Sequence, residues 1–560
     1  MSIALAAFQS LSPMPAYRNA LAQHACAALI GQAPVVRTIY RSLTMSVRRT
    51  FLKNAFLVAC ATTLGLSVGV AAHAATPKNM LVISKSADPQ MLDIAVTMDN
   101  NDWSITYPSY QRLIKYKAGG STEVEGELAK NWTTSADKLT WTFTLNDGQK
   151  FSDGTPVNAQ AVKYSFDRLM KMKQGPSEPF PAGLQVTVKD PLTVQFKLDT
   201  PFAPFLNILA NNGAGIVNPA VEQQAGGADK YLAGHTAGSG PYQLAKWNKG
   251  QSLILERNPH YGGQKPALEK VAFKIVPEAS ARRLQLQNGD LDIVGSIQPD
   301  QVKAMQNASG VVFKKVPSLL VSYLYLNNKT GPLTNVALRK GIAQAVDYDG
   351  IINGIMNGEA KPLNGPIPAG MWAHDDAAPA FKTDVAAAKQ SIGSAVPAKP
   401  LTLLYSTKEP YWEPIALSVQ ASLQAVGVKV KLEKLANATM RDRLGKGDFD
   451  ISIGNWSPDF ADPFMFMNYW FDSSKQGLPG NRSFYSNPEV DKLVRQAAQE
   501  TDQAKRTDLY QQAQKQVVKD YAYVYLFQHS NQMGLRDNVK GYAYNPMLHD
   551  VYNVADISKD

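Results

Sequence analysis

The stretch whose residue types could do chemistry most plainly is Asp448-Phe449-Asp450-Ile451-Ser452-Ile453-Gly454-Asn455-Trp456-Ser457-Pro458-Asp459-Phe460-Ala461-Asp462-Pro463. Alternating apolar residues make its first half a strand, and the Pro-Asp and Ala-Asp-Pro turns then end the ladder. Asp459 is thereby held at a strand end, with Trp456 three residues before it and Phe460 directly after it. Two large apolar neighbours reduce its access to water, and a carboxylate so placed wants a cation. The same residues also fit an Asx-turn acid that does no more than satisfy backbone donors.

Enzyme signatures are almost absent. The one Gly-x-Ser-x-Gly match, Gly65-Leu66-Ser67-Val68-Gly69, lies inside an apolar N-terminal run and is chance composition. No His-Glu-x-x-His and no phosphate-binding Gly-x-x-x-x-Gly-Lys loop occurs. Five histidines follow position 74, namely His235, His260, His374, His529 and His549, and none is spaced as a metal pair. Asp459 and Asp462 could in principle perform acid–base work, but that spacing in a turn is too common to argue for it. We therefore expect no catalytic residue, no metal and no cofactor. Trp103, Tyr110, Tyr323, Tyr325, Trp372, Tyr405, Trp412 and Trp456 stand beside turns predicted to face a cleft.

The elements that must position Asp459 follow a regular rhythm. Met80 to Ser84 reads as a strand, and a helix bearing Trp103, Ile105, Tyr107, Tyr110 and Leu113 follows. Leu139 to Leu145 alternates with period 2, Asn146-Asp147-Gly148 makes a turn, and Ala159 to Met170 reads as a helix. Later come strands at 321–326, 401–405 and 428–432, with helices at 335–346 and 415–426 between them. Helices at 488–498 and 502–519 and a strand at 521–526 complete the order. The βαβαβ alternation implies an open α/β sheet with helices on its faces. Loops near Val316-Pro317-Ser318 and Phe527-Gln528-His529 are the candidate crossings between lobes.

At 560 residues the chain is too long for one ordinary core, and 44% apolar with 19% charged residues marks it as globular. The formal charge of +10 is no argument for nucleic acid, because six of the Lys and Arg residues precede position 75 and leave 51 bases against 47 acids. Residues 1–74 read as an address. Met45 is followed by Arg48, Arg49 and Lys53, an apolar run and the small-residue site Ala72-His73-Ala74, so export with cleavage after Ala74 is expected. Residues 1–44 then represent an upstream start, with Met45 the true one. Arg48-Arg49 resembles a twin-arginine signal, although Val47 departs from its pattern, and the Sec route stays open. Leu57-Val58-Ala59-Cys60 also resembles a lipoprotein box, the less favoured reading. Cys26 and Cys60 are the only cysteines, so the exported chain has no disulfide and no thiol chemistry.

Glu127-Leu128-Ala129-Lys130-Asn131-Trp132, followed by Leu139 through Pro156, resembles the signature of the peptide and nickel class of ABC-transporter solute-binding proteins, family 5. Gly238-Ser239-Gly240-Pro241-Tyr242, Arg257-Asn258-Pro259-His260-Tyr261 and Leu338 through Asp347 are similar to its later landmarks, so the resemblance spans residues 76–560. It implies a type II-like periplasmic binding fold with three lobes: lobe I over 75–316 with an extra subdomain at about 112–238, lobe II over 317–526, and a return to lobe I over 527–560. In peptide-binding members an Asp three residues after a Trp grips the ligand ammonium, which Asp459 and Trp456 match. Peptide backbone there pairs with strand edges, for which the matching stretches are Asn455-Trp456-Ser457 and Met98-Asp99-Asn100. Phe460, Trp372 and Arg482 complete the expected ligand site; no residue matches a carboxylate-binding position of the family, and Arg482, in Gly480-Asn481-Arg482-Ser483, is the candidate for that role. The expected protein is a monomeric periplasmic carrier of a di- or oligopeptide to an inner-membrane ABC permease, with no nucleic-acid partner. Another solute (glutathione, an opine, a nickel chelate or haem), a chemoreceptor accessory and a secreted hydrolase are the alternatives, in falling order.

Overall fold

The computed structural model describes residues 76–117, 123–478 and 480–560. The leader read over residues 1–74, with both cysteines and the cleavage site, lies outside the described residues.

Strands and helices alternate as the sequence rhythm predicts and build an α/β architecture around one 11-stranded mixed sheet. Its order is Val430–Leu435, Leu401–Ser406, Ile451–Trp456, Val311–Leu326, Tyr523–Arg536, Ile293–Val294, Met80–Lys85, Lys270–Ile275, Ser252–Arg257 and Tyr242–Asn248. The short strand Ala360–Pro362 pairs with Tyr523–Arg536 off that path. A separate antiparallel sheet of four strands is ordered Ala129–Thr134, Thr140–Leu145, Thr193–Lys197 and Gln185–Asp190. The helix Ala159–Met172 packs on that sheet through Phe166, which meets Phe196 edge to face at 4.9 Å. Asn158 starts this helix, its side chain accepting from Ala161 N at 3.0 Å.

Two long strands, Val311–Leu326 and Tyr523–Arg536, run through the middle of the large sheet as antiparallel partners. At one end the pair adjoins Ile293–Val294, and at the other Ile451–Trp456. Their register shifts twice, between Pro317 opposite Ser530 and Val321 opposite Gln528, and again between Ser322 opposite Phe527 and Tyr323 opposite Tyr525. The loops expected at Val316-Pro317-Ser318 and Phe527-Gln528-His529 are thus corrected, since both segments lie inside continuous strands. The polar run that reads as loop is satisfied within the sheet. The Gln528 amide donates to Ser318 O at 2.7 Å and to Ala369 O at 2.8 Å and accepts from Ala369 N at 3.0 Å. His529 Nε2 and Ser322 Oγ stand 2.8 Å apart. Buried polar groups with partners are compatible with a central strand.

A second correction concerns the aromatics placed beside a cleft. Trp103, Tyr110, Tyr323, Tyr325, Tyr405 and Trp412 are each 5% exposed or less and belong to the core. Only Trp372 and Trp456 of that set keep an appreciable exposed face.

Candidate ligand site

The strand Ile451–Trp456 pairs along its whole length with the second half of Val311–Leu326, from Ile451 opposite Leu326 to Trp456 opposite Val321. On its other side the parallel strand Leu401–Ser406 is in register only at Leu403 with Ile451 and Leu404 with Ser452. Ile453 to Trp456 therefore have a strand on one side only, the geometry that an extended peptide backbone can extend. Gly454 lies in this segment because a Cβ there would fall 2.4 Å from the Tyr325 ring. Asn455 points its amide to Glu409, donating from Nδ2 to Oε1 at 3.1 Å.

The turn after Trp456 is fixed from several sides. Asp462 is fully buried and accepts both Arg506 Nη1 and Nη2 at 2.9 Å, and its Oδ1 also accepts from Phe464 N at 3.0 Å. Behind it the helix Phe464–Phe471 is buried on every face. Ala461 N donates to the Tyr116 hydroxyl at 3.1 Å, and Ala461 O accepts from the Trp372 indole at 3.4 Å. Asn211 Nδ2 donates to Asp459 O at 2.6 Å. The backbone of Asp459 is thus held while its side chain is left free.

No described group hydrogen-bonds the Asp459 carboxylate. The side chain keeps some accessible surface although protein atoms surround it. Burial, with the Glu178 carboxylate second and the Arg482 guanidinium opposing both, pushes the Asp459 carboxyl up to about 7. Arg482 is 8% exposed and lies over the Trp456 ring, 5.2 Å from its centroid. It donates Nη1 to the Tyr325 hydroxyl at 3.1 Å and Nε to Leu478 O at 2.8 Å, and it has no carboxylate partner among the described residues. The site thus offers a half-buried acid and a buried guanidinium, neither in an ion pair among the described residues. Leaving such groups unpaired is costly unless a ligand supplies the partners.

The remaining expected residues fall around this centre unequally. Ser457 is half-buried in the turn. Trp372 stands behind the turn, with its ring face 4.7 Å from the Arg506 guanidinium. Phe460 has no exposed surface and packs 6.2 Å from Phe464, so it is a core residue in this conformation. Met98-Asp99-Asn100 lies in none of the strands, although the Asp99 backbone is extended. Asp99 caps the helix Asn100–Thr106 by accepting from Asn101 N at 2.8 Å, and Met98 lies against Gly175.

Sequence reasoning missed Glu178, Asn211, Tyr469, Arg441 and Glu409. Tyr469 packs 6.5 Å from Trp456, and its hydroxyl is raised by burial and then by the charges of Asp459 and Glu178. Arg441 is held below its ordinary value by burial and then by Arg482. The one local sign of Glu178 was its proline-flanked turn, Gly175-Pro176-Ser177-Glu178-Pro179.

Residues 123–477 match the family described as bacterial extracellular solute-binding proteins, family 5 Middle, and the chain belongs to that family. It is a solute-binding protein and not an enzyme. Over 495 residues, 87% of this chain and 96% of the relative, it is 57% identical to the probable D,D-dipeptide-binding periplasmic protein DdpA of Escherichia coli K12. The dipeptide-binding protein of the same organism is 29% identical over 528 residues, 88% of this chain and 97% of the relative. Among solved structures, the ABC transporter-associated periplasmic binding protein DppA from Helicobacter pylori, in complex with peptide STSA, is similar with a TM-score of 0.76 at 27% identity. That likeness covers 86% of this chain and 98% of the other. The fold is the periplasmic binding protein fold of the type II class.

Proposed function

We propose that this protein is the periplasmic receptor of an ABC importer for a short zwitterionic peptide, a D,D-dipeptide. The observation that carries the reading is a half-buried Asp459 carboxylate to which no described group hydrogen-bonds, in the turn after Trp456, together with a buried Arg482 that lies over the Trp456 ring and has no carboxylate partner among the described residues. An α-ammonium fits the first and an α-carboxylate the second. The D,D configuration is supported by the name of the relative at 57% identity. The carrier acts as an exported monomer, released after Ala74 by the Sec or twin-arginine route, and hands its ligand to an inner-membrane permease.

Capture works by closure of lobes 75–316 and 317–526, with 112–238 as the extra subdomain and 527–560 returning to the first lobe. The register slip at Pro317–Val321 and Gln528–Ser530 is the hinge. Asn211 to Asp459 and Ala461 to Tyr116 are contacts that opening has to break.

Calorimetry with D-alanyl-D-alanine, L-alanyl-L-alanine and D-alanyl-D-alanyl-D-alanine tests the ligand. The D,D-dipeptide should bind at least about tenfold tighter than either competitor, about 1.4 kcal/mol. Small-angle scattering of the same samples should show a smaller radius of gyration with that ligand. Preference for the tripeptide, or a scattering curve unchanged at saturation, counts against the reading.

A further inference from the structure

Arg482 donates Nη1 to the Tyr325 hydroxyl at 3.1 Å and Nε to Leu478 O at 2.8 Å. A guanidinium has donors on all three nitrogens, and those of Nη2 have no partner among the described residues. The chain that carries Arg482 is fixed as well. Ser483 O accepts from Asn328 N at 2.9 Å, and the fully buried Asn481 donates Nδ2 to Tyr485 O at 2.8 Å.

The Tyr325 hydroxyl in turn lies 3.0 Å from the Tyr323 hydroxyl. A guanidinium only donates, so Tyr325 Oη is the acceptor of the first bond and its own hydrogen is left for Tyr323 Oη. Strand geometry builds this train, because residues two apart point to one face of Val311–Leu326, and the two rings meet edge to face at 4.9 Å. Both rings lean over Gly454 of the neighbouring strand, where a Cβ would fall 2.4 Å from the Tyr325 ring and 2.8 Å from the Tyr323 ring. Trp470 packs 4.8 Å from Tyr323, and Tyr523 packs 5.2 Å from Tyr325. Neither phenol is more than 2% exposed, so in this conformation both reach a ligand only through the arginine.

We propose that Tyr325, backed by Tyr323, is the positioning residue that orients Arg482 for the ligand carboxylate and leaves the Nη2 end as the grip. This rests on the assignment of Arg482 as carboxylate anchor. A long arginine side chain loses much rotamer freedom on gripping an anion unless it is already held. Here Leu478 O occupies Nε, Tyr325 occupies Nη1, and the guanidinium stands preorganised over the Trp456 ring. A neutral C-terminal amide offers one acceptor oxygen and no charge, so the benefit of this orientation falls on acids.

Calorimetry with D-alanyl-D-alanine and its C-terminal amide tests this. Tyr325→Phe should lower affinity for the acid about ten- to a hundredfold, the size of one hydrogen bond to a charged group, and leave affinity for the amide within about twofold. Tyr323→Phe should lower affinity for the acid about threefold, the size of one neutral hydrogen bond. The Tyr523 hydroxyl bonds neither Arg482 nor Tyr325, and Tyr523→Phe should bind both peptides as wild type does. In an Arg482→Met background, Tyr325→Phe should cost nothing further. If Tyr325→Phe weakens acid and amide by one factor, or costs as much without Arg482 as with it, the phenol is a packing residue, and the positioning role is overturned while the anchor stands. Unchanged acid binding by Tyr325→Phe overturns it in the same way. Equal binding of acid and amide by the wild type overturns the anchor and the proposal with it. Should Tyr325→Phe not fold, the acid-to-amide ratio of Tyr323→Phe decides, because a phenol that only fills space would leave that ratio at the wild-type value.

Discussion

Asp459→Asn should leave the fold intact and lower affinity for a free-amine dipeptide by about 30- to 5,000-fold, or about 2–5 kcal/mol. In the empty protein the carboxylate has no hydrogen-bond partner, and burial already opposes its ionised form. Removing that charge relieves a desolvation cost in the free protein while leaving the ligand ammonium unpaired in the complex. The neighbouring acid should behave in the opposite way. Asp462→Asn breaks a bidentate pair and strands the Arg506 charge in the core, which should cost about 3–5 kcal/mol of stability. Chemical denaturation of the two variants, beside calorimetry with D-alanyl-D-alanine and its N-acetylated form, separates the roles. The N-acetyl peptide should bind wild-type protein poorly. If Asp459→Asn binds the free dipeptide within threefold of wild type, Asp459 is a turn residue and the ammonium is held elsewhere.

The two acids three residues apart show what the sequence could and could not convey. Alternation up to Trp456 and the Pro-Asp turn made the strand end legible, because both are local signals. Which acid faces outward depends on Arg506, Tyr116, Asn211 and Trp372, all distant in sequence. Helices with caps and an apolar stripe were readable. The expected 488–498 and 502–519 segments are Pro488–Gln499 and Gln503–Lys519. The helix Phe464–Phe471 went unread because Phe464-Met465-Phe466-Met467-Asn468-Tyr469-Trp470-Phe471 is buried all round and carries no polar face. The strand expected at 521–526 runs to Arg536 because its partner Val311–Leu326 continues. Polar residues at Gln528 and His529 broke the alternation but found bonds inside the sheet.

Arg482→Met should lower affinity for a dipeptide with a free carboxylate by a similar factor, about 2–5 kcal/mol, because it removes one side of a buried charge pair. Methionine keeps much of the volume over Trp456 but neither the charge nor the donors to Tyr325 and Leu478. A C-terminally amidated dipeptide should bind wild-type protein poorly, and the variant should no longer distinguish acid from amide. A second effect adds to the first. The Arg482 charge holds the Asp459 carboxyl below where burial and Glu178 alone would put it. Losing it moves the Asp459 midpoint up, so at pH 7 a smaller fraction is ionised and the ammonium anchor weakens as well. The loss should accordingly be larger at pH 6.5 than at pH 8, and the Asp459→Asn and Arg482→Met effects should fall short of additivity at pH 6.5. Calorimetry of both variants and the double variant at the two pH values provides the readout. Equal binding of acid and amide by the wild type would place the carboxylate contact away from Arg482, with Arg441 the next guanidinium to test.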